Sequence, residues 1–477
     1  MGKLHEECGV FGIYGGENTN VVSATYYALY ALQHRGQESA GIAVNKDGVI
    51  YSYKDTGLVN EVFTNETLGK LQNGQMAIGH VRYTTRDGKH RSNAQPMVLN
   101  HIKGSLAIAH NGSVTNAYEL REQMELGGAI FHTNSDTEVI AYAITKARLH
   151  KSSIEDAILE AMKTIKGAFS DVVMSPQKLI GVRDPYGFRP LCIGRLDNGG
   201  WVIASETCAL DSVNATFVRD VEPGEVVVID KNGLRSLKSD IQVDKKGLCV
   251  FEFIYFARPD SVVDGTSVHE ARKRAGAYLA KAHPVDADVV IGVPDSGLDA
   301  AVGYAEESGI PYGIGFLKNK YIGRTFIQPT QEERENLVRI KLNAIKKTVC
   351  GKRVVMIDDS IVRGTTCARI VRILREAGAK EVHMRVSSPP FLFPCYFGTD
   401  IDSKDKLIAN NHTVEDIRQI IGVDSLGYLP KENVVQLAKE THLDFCTGCF
   451  TGEYPAETPE EFNKQSKYTK PIEKGGN

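Results

Sequence analysis

The chain has 477 residues, 42% hydrophobic and 24% charged, and its 56 Lys and Arg against 59 Asp and Glu give a formal charge of −3. This length holds roughly two to four domains, and this mix excludes disordered, collagenous and coiled-coil classes. Without a net basic field, nucleic acid is not expected as a partner.

Two rhythms follow one another along the chain. Residues 8–235 carry short β-like runs broken by Gly-rich turns: C-G-V-F-G-I-Y (8–14), M-A-I-G-H-V-R-Y (76–83), S-L-A-I-A-H (105–110) and E-V-V-V-I-D (225–230). Helical spacing occurs at 135–149 and 153–165. Strand runs with grouped helices predict an α+β layered domain. The polar stretch 239–247 is the candidate boundary. Beyond it, helix and buried strand alternate: a helix at 268–282, a strand at 288–294, a helix at 297–308, a strand at 311–316, a strand at 353–359, a helix at 365–377 and a strand at 381–386. That alternation predicts a parallel sheet with ligands at the carboxyl ends of its strands. Short helices at 413–421 and 431–439 follow, and a Pro-, Lys- and Glu-rich tail ends the chain. No stretch of about 18 apolar residues occurs, so no membrane span is expected. The start M-G-K-L-H-E-E lacks a signal-peptide core, and the expected location is cytoplasmic.

Chemistry-bearing residues gather at three places. Cys8 opens the first strand, and four strings follow it: Q-H-R-G-Q-E-S-A-G (33–41), G-H-V-R-Y (79–83), A-H-N-G (109–112) and N-S-D-T-E (134–138). Taken singly, Asn111-Gly112 reads as a hairpin turn and Arg82 as a surface ion pair. In the second half, V-V-M-I-D-D-S-I-V-R-G-T-T (354–366) sets two acids at a strand end before a Ser/Gly/Thr loop that opens a helix. Such a loop offers N–H groups to a phosphate, and the acids suit sugar hydroxyls or Mg²⁺. The turn G-V-P-D-S-G (292–297) ends the neighbouring strand. Third, C-T-G-C (446–449) is a C-x₂-C pair, and Cys249 and Cys395 sit in apolar settings. From spacing alone, zinc and iron–sulfur remain equally open. Cys192, Cys208, Cys350 and Cys367 read as packing residues.

The four strings after Cys8 resemble the glutaminase domain of class II amidotransferases, which are N-terminal-nucleophile hydrolases. The resemblance implies that residues 1–7 are a propeptide and that Cys8 attacks glutamine. Asn111 and Gly112 would form the oxyanion hole, Arg82 would grip the α-carboxylate and Asp136 the α-ammonium. Arg35 and Gly36 would line the pocket. The run T-T-R-D-G-K-H-R (84–91) is bulkier and more basic than the family's usual small residues there.

The string at 354–366 resembles the phosphoribosyl-pyrophosphate (PRPP) motif of type I phosphoribosyltransferases. Asp358 and Asp359 would then meet the ribose hydroxyls and Mg²⁺. Ser360, Arg363, Gly364, Thr365 and Thr366 would wrap the 5′-phosphate. Asp295 and Ser296 would belong to a pyrophosphate loop, with Ser296 near the Mg²⁺.

With I-Y-F-A-R-P-D-S (254–261) and K-N-K-Y-I-G-R-T-F-I-Q-P (318–329), the whole resembles the PRPP-dependent amidotransferases that join these two domains, in their iron–sulfur subgroup. The implied fold is a layered αββα sandwich over 8–240, followed by an α/β parallel-sheet domain over 241–455 and a tail over 456–477. The implied reaction opens purine synthesis: glutamine, PRPP and water give 5-phosphoribosylamine, pyrophosphate and glutamate. Ammonia would pass between the sites, with residues 318–344 as a lid. Cys249, Cys395, Cys446 and Cys449 would hold a [4Fe–4S] cluster of structural role. Inhibition by purine nucleotides such as AMP and GMP and a homotetramer are implied as well. Two other readings stay open: a glutaminase with a different acceptor, and a PRPP-binding regulator without catalysis.

Overall fold

The computed structural model describes residues 8–83, 91–319, 342–399, 401 and 403–459. The expected propeptide, most of the run at 84–91, residues 320–341 of the expected lid and the end of the tail lie outside them.

The first half is built on two antiparallel sheets. One has seven strands, with Gly9–Tyr14 at its centre between Trp201–Ala204 and Met76–Arg82. The other has six, with Gly104–Val114 beside Gly167–Met174. Alternating side chains face each other between the sheets: Val10, Ala43 and Ile78 of one meet Ala107, Ala109 and Val172 of the other. Opposite faces are covered by helices, Val21–Ala31 on the first sheet and Asp136–Arg148 with Ile154–Met162 on the second. Each sheet is thus apolar on both faces, which the fully buried strands Met76–Arg82 and Gly167–Met174 reflect. The result is the expected αββα sandwich.

The second half holds a four-stranded parallel sheet in the order Val289–Gly292, Arg353–Asp358, Glu381–Val386, Ser425–Tyr428. Val355 and Ile357 point to helices Val268–Ala282 and Gly297–Ser308, while Val354 and Met356 point to Thr365–Glu376 and Val414–Ile421. This period of two with both faces covered explains the continuous apolar runs.

Two predicted elements differ. Residues 311–316 do not form a sheet strand: Tyr312 makes one isolated bridge to Val290, and Phe316–Lys318 pairs off the sheet with Leu342–Ala344. Pro311, Gly313 and Gly315 weaken any strand there. The helix predicted at 431–439 stops at Val434, where two β-branched residues, Val434 and Val435, follow one another. A π-helical turn at Glu252–Phe256 was not expected.

Candidate active site

Cys8 stands at the head of the central strand, whose Gly9 lies opposite Val81. Its Sγ donates to the Tyr83 carbonyl at 3.6 Å. Burial pushes the thiol pKa up; Arg82 and His110, both within electrostatic reach, oppose that rise, and Asp136 adds to it. Asn111 and Gly112 come from the facing sheet, inside strand Gly104–Val114, opposite Ser170 and Phe169. They are strand residues rather than a hairpin turn. Asn111 is buried, and among the described residues its Nδ2 has no hydrogen-bond partner. An orphaned buried donor costs about 1–3 kcal/mol, so this amide is poised for an acceptor. Gly112 has φ +143°, and a Cβ there would fall 2.2 Å from the Ala168 carbonyl oxygen. Glycine is required at that position.

Asp136 is the first residue of its helix, after the N-cap Ser135. Its Oδ2 accepts from the Val114 N–H at 3.0 Å. Sequence reasoning missed the group behind it. His110 lies buried with Nδ1 2.7 Å from Asp171 Oδ1 and Nε2 3.6 Å from Asp136 Oδ2. Burial opposes its charge, yet the two carboxylates prevail and raise its pKa well above the ordinary value. The string A-H-N-G named His110, but Asp171 stands 61 residues away, beyond any local pattern.

Arg35, expected to line the glutamine pocket, lies directly against Cys8. It is buried, its Nε donates to the Cys8 carbonyl at 3.1 Å, and its other nitrogens engage Glu206 and Glu252. Beside it, a Cβ on Gly36 would fall 2.6 Å from Arg82 N, so this wall is bare backbone.

The second centre lies at the carboxyl end of Arg353–Asp358. Asp358 and Asp359 are both buried. Asp358 Oδ1 accepts from the Asp359 N–H at 3.0 Å, and the hydroxyls of Ser296 and Ser360 donate to Asp359. Burial raises the Asp359 pKa above the usual carboxylate range. Gly364 sits at φ +77° as N-cap of Thr365–Glu376, with no side-chain cap for that helix's first N–H groups. They are open to an anion at the positive end of a 12-residue helix. Thr365 is exposed, and Thr366 and Arg363 are half-buried. The turn at 292–297 is adjacent: a Cβ on Gly297 would fall 2.4 Å from the Ile357 carbonyl oxygen. Asp295 is mostly exposed and pairs with Lys318.

The four candidate cysteines come together. Cys249 and Cys446 stand in register where Leu248–Cys249 pairs in parallel with Phe445–Cys446. Cys449, on the turn after Cys446, lies within electrostatic reach of Cys249, Cys395 and Cys446. Its carbonyl accepts from the N–H groups of Leu392 and Phe393, which brings in the Cys395 segment. Burial drives the Cys446 thiol up to about 12. Among the described residues, no three His, Cys, Asp or Glu side chains are set to hold a single metal ion. Cys192, Cys208 and Cys367 are buried as expected; Cys350 is exposed, contrary to its reading as a packing residue.

A thiol site on an αββα sandwich, joined to a strand-end acid pair on a parallel sheet, defines a glutamine amidotransferase fused to a phosphoribosyltransferase. Family models agree: a glutamine amidotransferase domain matches residues 80–212 and a phosphoribosyl transferase domain residues 267–388. An amidophosphoribosyltransferase of Methanocaldococcus jannaschii is 50% identical, over 94% of this chain and 98% of its own. The solved structure of a Bacillus subtilis glutamine PRPP amidotransferase complexed with ADP and GMP superposes with a TM-score of 0.88 at 48% identity, covering 95% of this chain and 98% of that one. A structure described as the allosteric regulatory enzyme of purine biosynthesis gives 0.89 at 48%, covering 95% and 97%. The chain belongs to the amidophosphoribosyltransferase family.

Proposed function

We propose that the chain converts glutamine, PRPP and water to 5-phosphoribosylamine, pyrophosphate and glutamate, the first committed step of purine synthesis. The observation that carries the glutaminase half is the Asn111 amide, unpartnered among the described residues, on the sheet that faces the strand headed by Cys8. Once residues 1–7 are removed, the Cys8 α-amine, whose reference pKa is about 7.7–8.0, takes the thiol proton. The sulfur attacks the glutamine side-chain amide, the C–N bond breaks, and ammonia leaves a thioester that water hydrolyses. Asn111 Nδ2 and the Gly112 N–H stabilise the oxyanion. Arg82 binds the α-carboxylate and Asp136 the α-ammonium. His110 holds Asp136 from behind.

Ammonia passes to the second site and attacks C1 of the ribose as pyrophosphate departs. Asp358 and Asp359 bind the ribose hydroxyls. Ser360, Arg363, Gly364, Thr365 and Thr366 enclose the 5′-phosphate, and Asp295 with Ser296 faces the pyrophosphate. Asp358, Asp359 and Ser296 would hold Mg²⁺, and this all-oxygen set with substrate phosphates fits it; when bound, the ion neutralises the leaving group. Glutamate release from glutamine, measured with and without PRPP and Mg²⁺, tests the whole reading. Strong stimulation by PRPP is expected. Indifference to PRPP would favour another acceptor, and no release from a chain beginning at Cys8 would favour the regulator.

Cys249, Cys395, Cys446 and Cys449 are proposed to hold a [4Fe–4S] cluster. Burial keeps the Cys446 and Cys449 thiols neutral when unligated, and a metal centre is what would deprotonate them. Such a cluster would tie three distant segments together, a structural task. Anaerobically purified protein should contain iron and acid-labile sulfide in equal amounts, and Cys449→Ser should lose both. Zinc without sulfide would overturn this assignment. The nucleotides bound by the Bacillus relative support a purine-nucleotide inhibitor site, with AMP and GMP as the candidates. A homotetramer and a cytoplasmic location complete the proposal; among the described residues, no helix is long and apolar enough to cross a membrane.

A further inference from the structure

The nucleophile is braced from outside its own sandwich. Arg35 donates through Nε to the Cys8 carbonyl. The other edge of its guanidinium forms a fork with Glu252, at 2.9 Å and 2.8 Å, and one nitrogen also reaches Glu206 at 2.6 Å. Glu252 opens the π-helical turn Glu252–Phe256, after both sheets of the sandwich have ended. The side chains of Arg35, Glu206 and Glu252 are 0% exposed. Ion pairs withdrawn so fully from water have fixed geometry and little screening.

That turn is held in turn by the phosphoribosyl half. Arg272, on helix Val268–Ala282, donates to the carbonyls of Phe253, Tyr255 and Ala257 at 2.9, 3.0 and 2.7 Å. Its remaining nitrogen faces Asp299 at 3.9 Å, on the helix that follows the turn at 292–297. Glu252 has a second cation as well: Arg189 Nη1 lies 3.4 Å away, while its Nη2 donates to the Phe397 carbonyl at 2.8 Å. Next to Phe397, a Cβ on Gly398 would fall 3.4 Å from Gly112 Cα. Glu252 therefore stands between two arginines, one touching Cys8 and the other touching the segment packed on Gly112.

We propose that Glu252 is a positioning residue for glutamine hydrolysis: from the phosphoribosyl half, it locks Arg35 against the Cys8 carbonyl and so fixes the nucleophile relative to Asn111 and Gly112. Glu252 touches no substrate. Arg82 and Asp136, which set glutamine affinity in the proposed function, are not among its partners. The inference rests on that reading of Cys8.

The test is Glu252→Gln in the full-length, processed enzyme, with glutamine and with ammonia as nitrogen source. Misplacing a nucleophile by about 1 Å costs on the order of 100-fold. The glutamine-dependent kcat should therefore fall about 100-fold, with the glutamine KM little changed and the ammonia-dependent rate retained. Glu252→Asp keeps the charge but shortens the reach, and should show a smaller loss confined to the same rate; it carries the test if Glu252→Gln does not accumulate. An unchanged glutamine rate in either variant overturns the proposal. So does an equal loss with both nitrogen sources, which marks a purely structural residue. If the parent enzyme itself makes no phosphoribosylamine from ammonia and PRPP, it is the proposed function that fails, independently of Glu252.

Discussion

Cys8→Ala abolishes glutamine-dependent turnover, a loss on the order of 10⁴-fold or more, while phosphoribosylamine formation from ammonia continues. The size follows from the arrangement. No other nucleophile is among the groups identified around the thiol: Arg82, His110 and Asp136 are charged groups, and Asn111 supplies an amide. Losing the sulfur removes the covalent route, whereas losing one donor weakens one step of it. Asn111→Ala should accordingly cost only about 10²–10³-fold, the typical worth of an oxyanion donor. Parallel assays of glutamate release and phosphoribosylamine formation check both values. Equal losses in the two variants would mean that the thiol is not the attacking group.

Asp359→Asn should lower PRPP-dependent turnover by about 10²–10³-fold with either nitrogen source, by analogy with other charged groups that act on the reacting centre. It should also remove the effect of PRPP on glutamate release. Asp358→Asn should act in the same direction. The loss would be chemical rather than conformational. The raised pKa of Asp359 comes first from burial. For an acid raised in this way, the folded state binds the proton more tightly than the unfolded one. Its contribution to stability is present at low pH and is lost as pH rises past the ordinary carboxylate range. At neutral pH the ionised side chain is a cost, so Asp359→Asn should unfold at a temperature no lower than the parent. A clear drop in Tm alongside lost turnover would reassign the residue to the fold.

How much of this was legible in the sequence depended on distance along the chain. Strand 353–358 and helix 365–376 were readable because burial on both sheet faces and an amphipathic helix leave local patterns. The order of the motifs after Cys8 marked the two centres for the same reason: each motif is a contiguous string at an element's end. The bracing of the site was not legible. Arg35 and Glu252 are 217 residues apart, and Arg189 and Phe397 are 208 apart. No periodicity connects such pairs, so Arg35 read as a pocket residue and Glu252 and His110 carried no role. The run at 311–316 failed in the opposite way: its composition suggested a strand, but its proline and glycines denied it a ladder.

The pairing of Leu248–Cys249 with Phe445–Cys446 also sets a timetable. Its partners are 446 − 249 = 197 residues apart, and the whole parallel sheet, from Val289 to Tyr428, lies between them. On a ribosome adding about 5–20 residues per second, the first of these strands waits about 10–40 s for the second. Closing so long a loop before the sheet has compacted it would be entropically unfavourable. The four thiols therefore meet only after nearly all of the chain has been made and the sheet has formed. The cluster proposed for them would be loaded at the end of biosynthesis, onto a body already folded around it.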